Sequence, residues 1–222
     1  MNFLHRTQMC SPAKRFVLFS TDFIHEMALA DGGLMGLYVT VCNYLAQPAD
    51  ALNRSNDAKD LRDRSEKYTA SLQKLLNEVK GMFLSKRTDN SAWSFRLSPP
   101  PFYPLIAKAA TPQQAETMAK EHLLNEKEFW GGWVLPSIAR NDSSFAEQGY
   151  WESRIWAPLD FLVYQGLKQY NFPDVTKALA EISNALLLKN WREVRGVFGN
   201  HHASVEGRLP DEAPNCSNIF YR

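Results

Sequence analysis

Cysteine is scarce in this 222-residue sequence, and its arrangement excludes the usual forms of cysteine chemistry. The three residues, Cys10, Cys42 and Cys216, are far apart and form no CxxC pair. An odd number without close spacing argues against a disulfide framework and is more typical of a reducing compartment. His201 and His202 are adjacent, and adjacent histidines rarely share one metal ion. We therefore expect neither a metal site nor any other cofactor.

The sequence also lacks an excess of charge and any long apolar run. It has 25 basic and 24 acidic residues, a formal net charge of +1, so it carries no electrostatic footprint for nucleic acid or an anionic membrane. No run approaches the ~20 apolar residues of a membrane helix, and the N-terminus lacks the apolar centre of a signal peptide. Hydrophobic residues nevertheless make up 45% of the chain, which predicts a buried core. The compartment stays open, with the cytoplasm favoured.

What the sequence does have is helical periodicity. Apolar residues recur every three to four positions in several stretches, which prolines and glycines separate. One start is marked by a capping box at Thr111, followed by a proline at the first helical position. No alternating strand pattern and no fixed-period repeat is present, which indicates an all-α protein. We predict helices over residues 34–46, 57–79, 112–124, 158–170 and 174–191, a short helix over 102–109, and stop signals at Pro48 and Gly81.

A long loop rich in aromatic residues lies between two of these helices, over about residues 125–152. Long structured loops are more often functional than connecting. Flat aromatic faces suit sugar rings, and arginine can hydrogen-bond hydroxyl groups, but large aromatics also pack between helices. Composition alone favours packing, so both interpretations stay open at this point. The residues concerned, in or just after this loop, are Trp130, Gly131, Gly132, Trp133, Tyr150, Trp151, Arg154 and Trp156.

Two long motifs carry a resemblance to a known family. The run EHLLNEKEFWGGWVLPSIARND covers residues 121–142, and GYWESRIWAPLDFLVYQGL covers residues 149–167. Three further segments agree in order: LADGGLMGLY (29–38), RLSPPPFYPLIAKAATPQQAE (96–116) and ALLLKNWRE (185–193). Together they resemble glycoside hydrolase family 63 and its mannosylglycerate-hydrolase-like relatives, in which FWGxWVLPSIARxD precedes YWRGRIWxPxNxLVYxGL.

The resemblance implies an (α/α)6 toroid, a ring of six inner and six outer helices. This chain would form its C-terminal portion, residues 29–222, after an irregular N-terminal segment at residues 1–28. The implied reaction is inverting hydrolysis of α-linked glucosides, so the implied partner is a carbohydrate. Inversion needs a carboxylic acid that protonates the leaving oxygen and a carboxylate that activates water, ~6.5–9.5 Å apart. Because about half of the ring's helices are predicted, we expect an incomplete toroid whose exposed apolar faces promote self-association.

Neither carboxyl group stands at its expected position. The family's base is a glutamate shortly after the ALLLKNWRE segment, and Gly199 occupies that position. The acid's aspartate motif, expected ahead of LADGGL, is missing. Glu206, which matches a later part of the family's loop seven residues beyond Gly199, is a candidate surrogate base. The resemblance therefore predicts a catalytically impaired glycosidase; the alternative is a non-catalytic carbohydrate-binding relic or a truncated fragment. The substrate-binding residues that the resemblance implies are Trp130, Trp133, Tyr150, Trp151, Arg154, Trp156 and Asn200.

Overall fold

The computed structural model describes residues 29–148, 153–203 and 219–221, and this part of the chain is mostly helical. The all-α prediction is confirmed; the predicted N-terminal segment, residues 1–28, lies outside the described residues. The helices are α1 (Gly32–Ala51), α2 (Ser55–Gln73), α3 (Pro112–Thr117, continued by a π-helical turn at Met118–Leu123), α4 (Ala157–Leu167) and α5 (Pro173–Val194), with 3₁₀ helices at Pro100–Leu105, Phe145–Glu147 and Lys168–Tyr170.

The strands in the described residues are short and antiparallel, and each joins only two segments. They tie helix ends and loops together without forming a layer of the core. The pairs are β1 (Leu29–Ala30) with β4 (Lys86–Arg87), β2 (Leu76–Asn77) with β3 (Met82–Phe83), and β5 (Val197–Phe198) with β6 (Ile219–Tyr221).

Side-chain caps fix the start of two helices. Asp31 accepts a hydrogen bond from the backbone N–H of Leu34 through one carboxylate oxygen, at 2.6 Å, and from the Ser85 hydroxyl through the other, at 2.8 Å. The first bond caps α1, because the opening N–H groups of a helix have no partner within the helix. Thr111 and Gln114 form the predicted capping box of α3, each side chain accepting from the other residue's backbone N–H.

The predicted end of α2 is wrong by one and a half turns. Apolar residues continue at helical spacing to Val79, yet α2 ends at Gln73. The chain then forms the β2–β3 hairpin, in which Leu76 lies opposite Phe83. Val79 is 94% exposed near the tip of that hairpin, so it belongs to no buried stripe. Burial of the hairpin's own apolar residues outweighs the local preference for helix.

The prediction that Pro48 ends the first helix is also wrong. α1 continues to Ala51, and the backbone N–H of Leu52 still donates to the Pro48 carbonyl at 3.0 Å. Proline cannot donate to the carbonyl of Tyr44 four residues earlier. Both residues lie on the exposed side of the helix, where water can hydrogen-bond that carbonyl.

The core forms around the 3₁₀ helix at Pro100–Leu105, which contacts both α1 and α4. α1 and α2 form a helical hairpin on one side, and α4 packs against α5 on the other. The ring of Phe102 meets that of Phe129 edge to face, with centroids 5.5 Å apart. α1 approaches this segment so closely that a Cβ atom on Gly36 would lie 2.8 Å from the backbone nitrogen of Pro104. The glycines of LADGGLMG therefore allow this helix contact.

Two helices present apolar side chains to solvent. None of the described helices combines the length and hydrophobicity needed to cross a membrane. The exposed large apolar residues of α1, which we call the α1 apolar face, are Leu34, Tyr38, Val41, Tyr44 and Leu45. Those of α5 are Leu187, Leu188 and Trp191.

Candidate functional site

Three segments that are far apart in sequence, around residues 136, 155 and 201, run side by side. We call them the floor of the candidate site. Pro136 and Ile155 make an antiparallel bridge, and Ile155 makes a second one with His201. Ile155 and His201 exchange backbone hydrogen bonds, each 2.9 Å long. The backbone N–H of Ser137 donates to the carbonyl of Arg154, also at 2.9 Å. The two long motifs and the segment that contains Gly199 are thereby held at fixed positions.

Arg154 and Asn200 are joined inside this floor. The guanidinium Nη1 of Arg154 donates to Oδ1 of Asn200 at 3.0 Å, and its Nε donates to the carbonyl of Gln148 at 2.7 Å. Arg154 is 6% exposed and Asn200 fully buried. The Nδ2 amide of Asn200 has no hydrogen-bond partner among the described residues. A buried donor without a partner is costly, so this amide needs an acceptor such as a buried water.

A second buried pair lies next to the first. Asn190, on α5, donates from Nδ2 to the Leu186 carbonyl at 2.8 Å, and the same nitrogen lies 3.0 Å from Nδ1 of His201. Burial, reinforced by the charge of Lys189, lowers the pKa of His201 to about 4. The imidazole is therefore neutral near pH 7, with Nδ1 accepting from Asn190 and the proton on Nε2.

Residues 130–133, which we call the WGGW turn, lie at the edge of the site. Trp130 and Trp133 are half-buried and Gly132 is exposed. Beneath the turn, the Arg140 guanidinium donates to the Trp130 carbonyl from Nε at 3.0 Å and to the Trp133 carbonyl from Nη2 at 2.5 Å. Its Nη1 donates to the carbonyl of Ala203 at 3.1 Å. One side chain thus connects the turn to the segment that follows Gly199.

The predicted site residues fall into three groups. Arg154 and Asn200 come together, with Gly199 buried directly before Asn200 in the chain. Trp130 and Trp133 share the WGGW turn and keep part of their surface exposed, whereas Trp156 is only 5% exposed at the start of α4. The three predictions that lie outside the described residues are Tyr150, Trp151 and Glu206. Sugar contact by any of these residues stays a prediction.

Two carboxyl groups of the motif segments, those of Asp160 and Asp31, are engaged in structural hydrogen bonds. Asp160, in the first turn of α4, is buried and accepts from the backbone N–H of Leu135 at 3.0 Å. Burial raises the pKa of the Asp160 carboxyl well above its usual range. Asp31 caps α1 and binds Ser85. Within the described ranges, no cluster of three or more His, Cys, Asp and Glu side chains could hold a metal ion.

Sequence reasoning missed Arg140, Asn190 and Gln148. Arg140 and Asn190 stand inside the quoted motifs, so their presence was visible, but nothing local indicates that they bind partners across the fold. Gln148 accepts from the backbone N–H of Ala203 through Oε1 at 2.9 Å, a contact over 55 positions. Such long-range contacts leave no periodic signal in the sequence.

Comparison with known proteins identifies the family and the fold. Residues 17–206 match the family model described as the Mannosylglycerate hydrolase MGH1-like glycoside hydrolase domain. Among solved structures, the chain is similar to a GH63 mannosylglycerate hydrolase from Thermus thermophilus in complex with glucose, at 20% identity and a TM-score of 0.66, covering 72% of this chain and 38% of that one. It is also similar to neutral trehalase from Saccharomyces cerevisiae, at 21% identity and a TM-score of 0.66, covering 81% and 35%. No curated protein matches.

These likenesses establish the fold, and the predicted architecture is confirmed. The described helices form part of an (α/α)6 toroid. The chain spans under two fifths of the length of these two structures, 38% and 35%.

Proposed function

Because this chain belongs to the Mannosylglycerate hydrolase MGH1-like glycoside hydrolase domain family, we propose that it is a glycoside hydrolase-like protein of the inverting α-glucosidase type whose hydrolytic step is impaired. The observation that carries this proposal is the setting of Gly199. It is buried and adjoins Asn200, whose amide donor is unsatisfied within the described residues, but it brings no carboxylate to the site.

The chemistry explains why Gly199 matters. An inverting glycosidase needs one carboxylate to deprotonate the attacking water, and losing such a positioned base costs ~10²–10⁴-fold in rate. His201 is a poor substitute, because Nδ1 accepts from Asn190 and Nε2 already carries the proton. Asp160 is a poor proton donor to a substrate, because it is buried against the backbone of Leu135.

Sugar binding makes smaller demands than hydrolysis. A sugar needs only a few polar partners and an apolar surface, because each of its hydroxyl groups both donates and accepts. The half-buried indoles of Trp130 and Trp133 offer apolar surface for the C–H face of a sugar ring. Glucose occupies the solved Thermus relative, which makes it a suitable probe for this chain.

The main experiment measures hydrolysis of maltose, trehalose and mannosylglycerate by the purified chain, Gly199→Glu and Glu206→Ala. We expect little turnover by the wild type. Gly199→Glu should not restore it, because the proton donor is still missing. Robust turnover by the wild type that vanishes in Glu206→Ala would show that Glu206 is the base, and the proposal of impairment would then be wrong.

The alternative, a non-catalytic carbohydrate-binding relic or a truncated fragment, differs in one result. A relic has lost the rest of the catalytic arrangement, so Gly199→Glu combined with a carboxylic acid introduced ahead of α1 should give no turnover at all. An impaired enzyme should gain measurable turnover from the same pair of changes.

A further inference from the structure

We propose that Arg140 is a positioning residue that holds the WGGW turn, residues 130–133, at a fixed distance from the segment following Gly199. The inference rests on the proposed function, because it assigns the turn a role as the sugar-contacting surface. Arg140 acts on that surface through the backbone carbonyls of Trp130 and Trp133.

The geometry of the guanidinium supports this role. Its three nitrogens donate to three different backbone carbonyls, two within the WGGW turn and one at Ala203. The backbone of Arg140 is fixed in turn, since its N–H donates to the Glu128 carbonyl at 2.8 Å. The guanidinium carbon also lies 5.5 Å from the ring centre of Phe145. The contact with Ala203 spans 63 positions of sequence and those with the turn up to 10, so Arg140 connects segments that are far apart in the chain.

An arginine is required by the arrangement of these acceptors. A guanidinium is planar and directs five N–H donors in fixed directions, whereas a lysine ammonium is a compact point that cannot span three separated carbonyls. Within the described ranges, the Arg140 guanidinium forms no ion pair with a carboxylate, and its hydrogen-bond acceptors there are the three carbonyl oxygens. Arg140→Lys should therefore keep the charge but release part of the turn.

The two glycines of the turn give a matched pair of variants. A Cβ atom on Gly131 would lie 2.8 Å from Nη2 and 2.9 Å from Cζ of Arg140. The guanidinium cannot move aside without giving up its carbonyl contacts, so Gly131→Ala should displace it. A Cβ atom on Gly132 would meet nothing within 4 Å. Gly132→Ala adds the same methyl group one residue away and serves as the control.

The first test needs no ligand. The indole N–H signals of Trp130 and Trp133 are recorded by ¹⁵N–¹H NMR in the full chain and assigned with Trp→Phe variants. We expect both signals to move in Arg140→Lys and in Gly131→Ala and to stay in place in Gly132→Ala. Unchanged indole signals in Arg140→Lys would overturn the inference, because the turn would then keep its position without the guanidinium fork.

The second test adds glucose to the same samples. We expect glucose to shift the indole signals of the wild type, and Arg140→Lys to bind it about tenfold more weakly. A merely structural role for Arg140 would lower the melting temperature while leaving the Kd for glucose unchanged, and that result would refute positioning. The remaining outcome is that glucose leaves the wild-type indole signals unchanged while Arg140→Lys still shifts them without ligand. That outcome would refute sugar binding at the turn and leave the positioning role intact.

Discussion

Protonation of His201 should destabilise the folded protein below about pH 6.5. In the folded state, burial and the nearby charge of Lys189 lower the pKa of this imidazole to about 4, against 6.5 for an unperturbed histidine. The unfolded chain therefore binds a proton at His201 throughout this window, whereas the folded chain does not. The free energy of unfolding accordingly rises with pH between 4 and 6.5 and is unaffected by this group above 6.5.

The size of the effect follows from the two pKa values. Each pKa unit corresponds to about 1.36 kcal/mol, so the difference between 6.5 and about 4 amounts to about 3 kcal/mol across the window. That is a sizeable share of the stability of a typical domain. The contact that would be lost is the one from Asn190, because protonated Nδ1 can no longer accept from its amide.

The assay is urea unfolding at several pH values between 4 and 7 for the wild type and His201→Asn. The asparagine oxygen takes the approximate place of Nδ1 as an acceptor and does not titrate. Other acidic groups titrate in both proteins, so the difference between the two curves isolates His201. We expect that difference to change by about 3 kcal/mol over the window. Parallel curves would contradict the burial argument.

Three further predictions concern stability and association. Asp160→Asn keeps an acceptor for the same backbone N–H but cannot ionise. Because the pKa of Asp160 is raised in the folded state, the free energy of unfolding of the wild type falls as pH rises. In urea unfolding, the free energy of unfolding of the variant relative to the wild type should therefore increase with pH, and the pH-dependent difference should vanish at low pH. Gly36→Ala should lower the free energy of unfolding by about 1–3 kcal/mol, since its methyl meets backbone atoms at 2.8 Å, whereas Gly132→Ala should have no such effect. The α1 apolar face should promote self-association, so Val41→Lys with Leu45→Lys should lower the sedimentation-derived mass at high concentration; equal masses would show that the face is not used.

The helices could be predicted because their signals are local. The start of α3 follows from its capping box, and α5 begins and ends within three residues of the predicted 174–191. α2 shows where this reasoning stops. Its apolar stripe runs on to Val79, but pairing of Leu76 with Phe83 decides the structure there. A hairpin partner seven residues away competes with helical spacing in a way that periodicity cannot reveal.

The candidate site likewise contains residues that the sequence could predict and residues that it could not. Arg154 and Asn200 could be named from motif resemblance, and the structure brings them within 3.0 Å of each other. Arg140 and Asn190 could not, because their roles are defined by what they bind: a carbonyl 63 positions away in one case and an imidazole 11 positions away in the other. The role of a buried polar residue depends on the partner that it binds, which its own position in the sequence does not reveal.

The long-range hydrogen bonds of Arg140 and Arg154, which we call the frame of the site, do not depend on the residue at the base position. Arg140 and Arg154 connect the two long motifs to the segment around Asn200 through backbone carbonyls and amides, and none of those bonds uses a side chain at position 199. The frame can therefore form with glycine there. A carboxylate introduced by Gly199→Glu would enter a buried setting next to Asn200 in the chain, and it replaces no side chain that takes part in these bonds. Arg140→Lys does the reverse, because it removes bonds of the frame and leaves the reactive groups as they are.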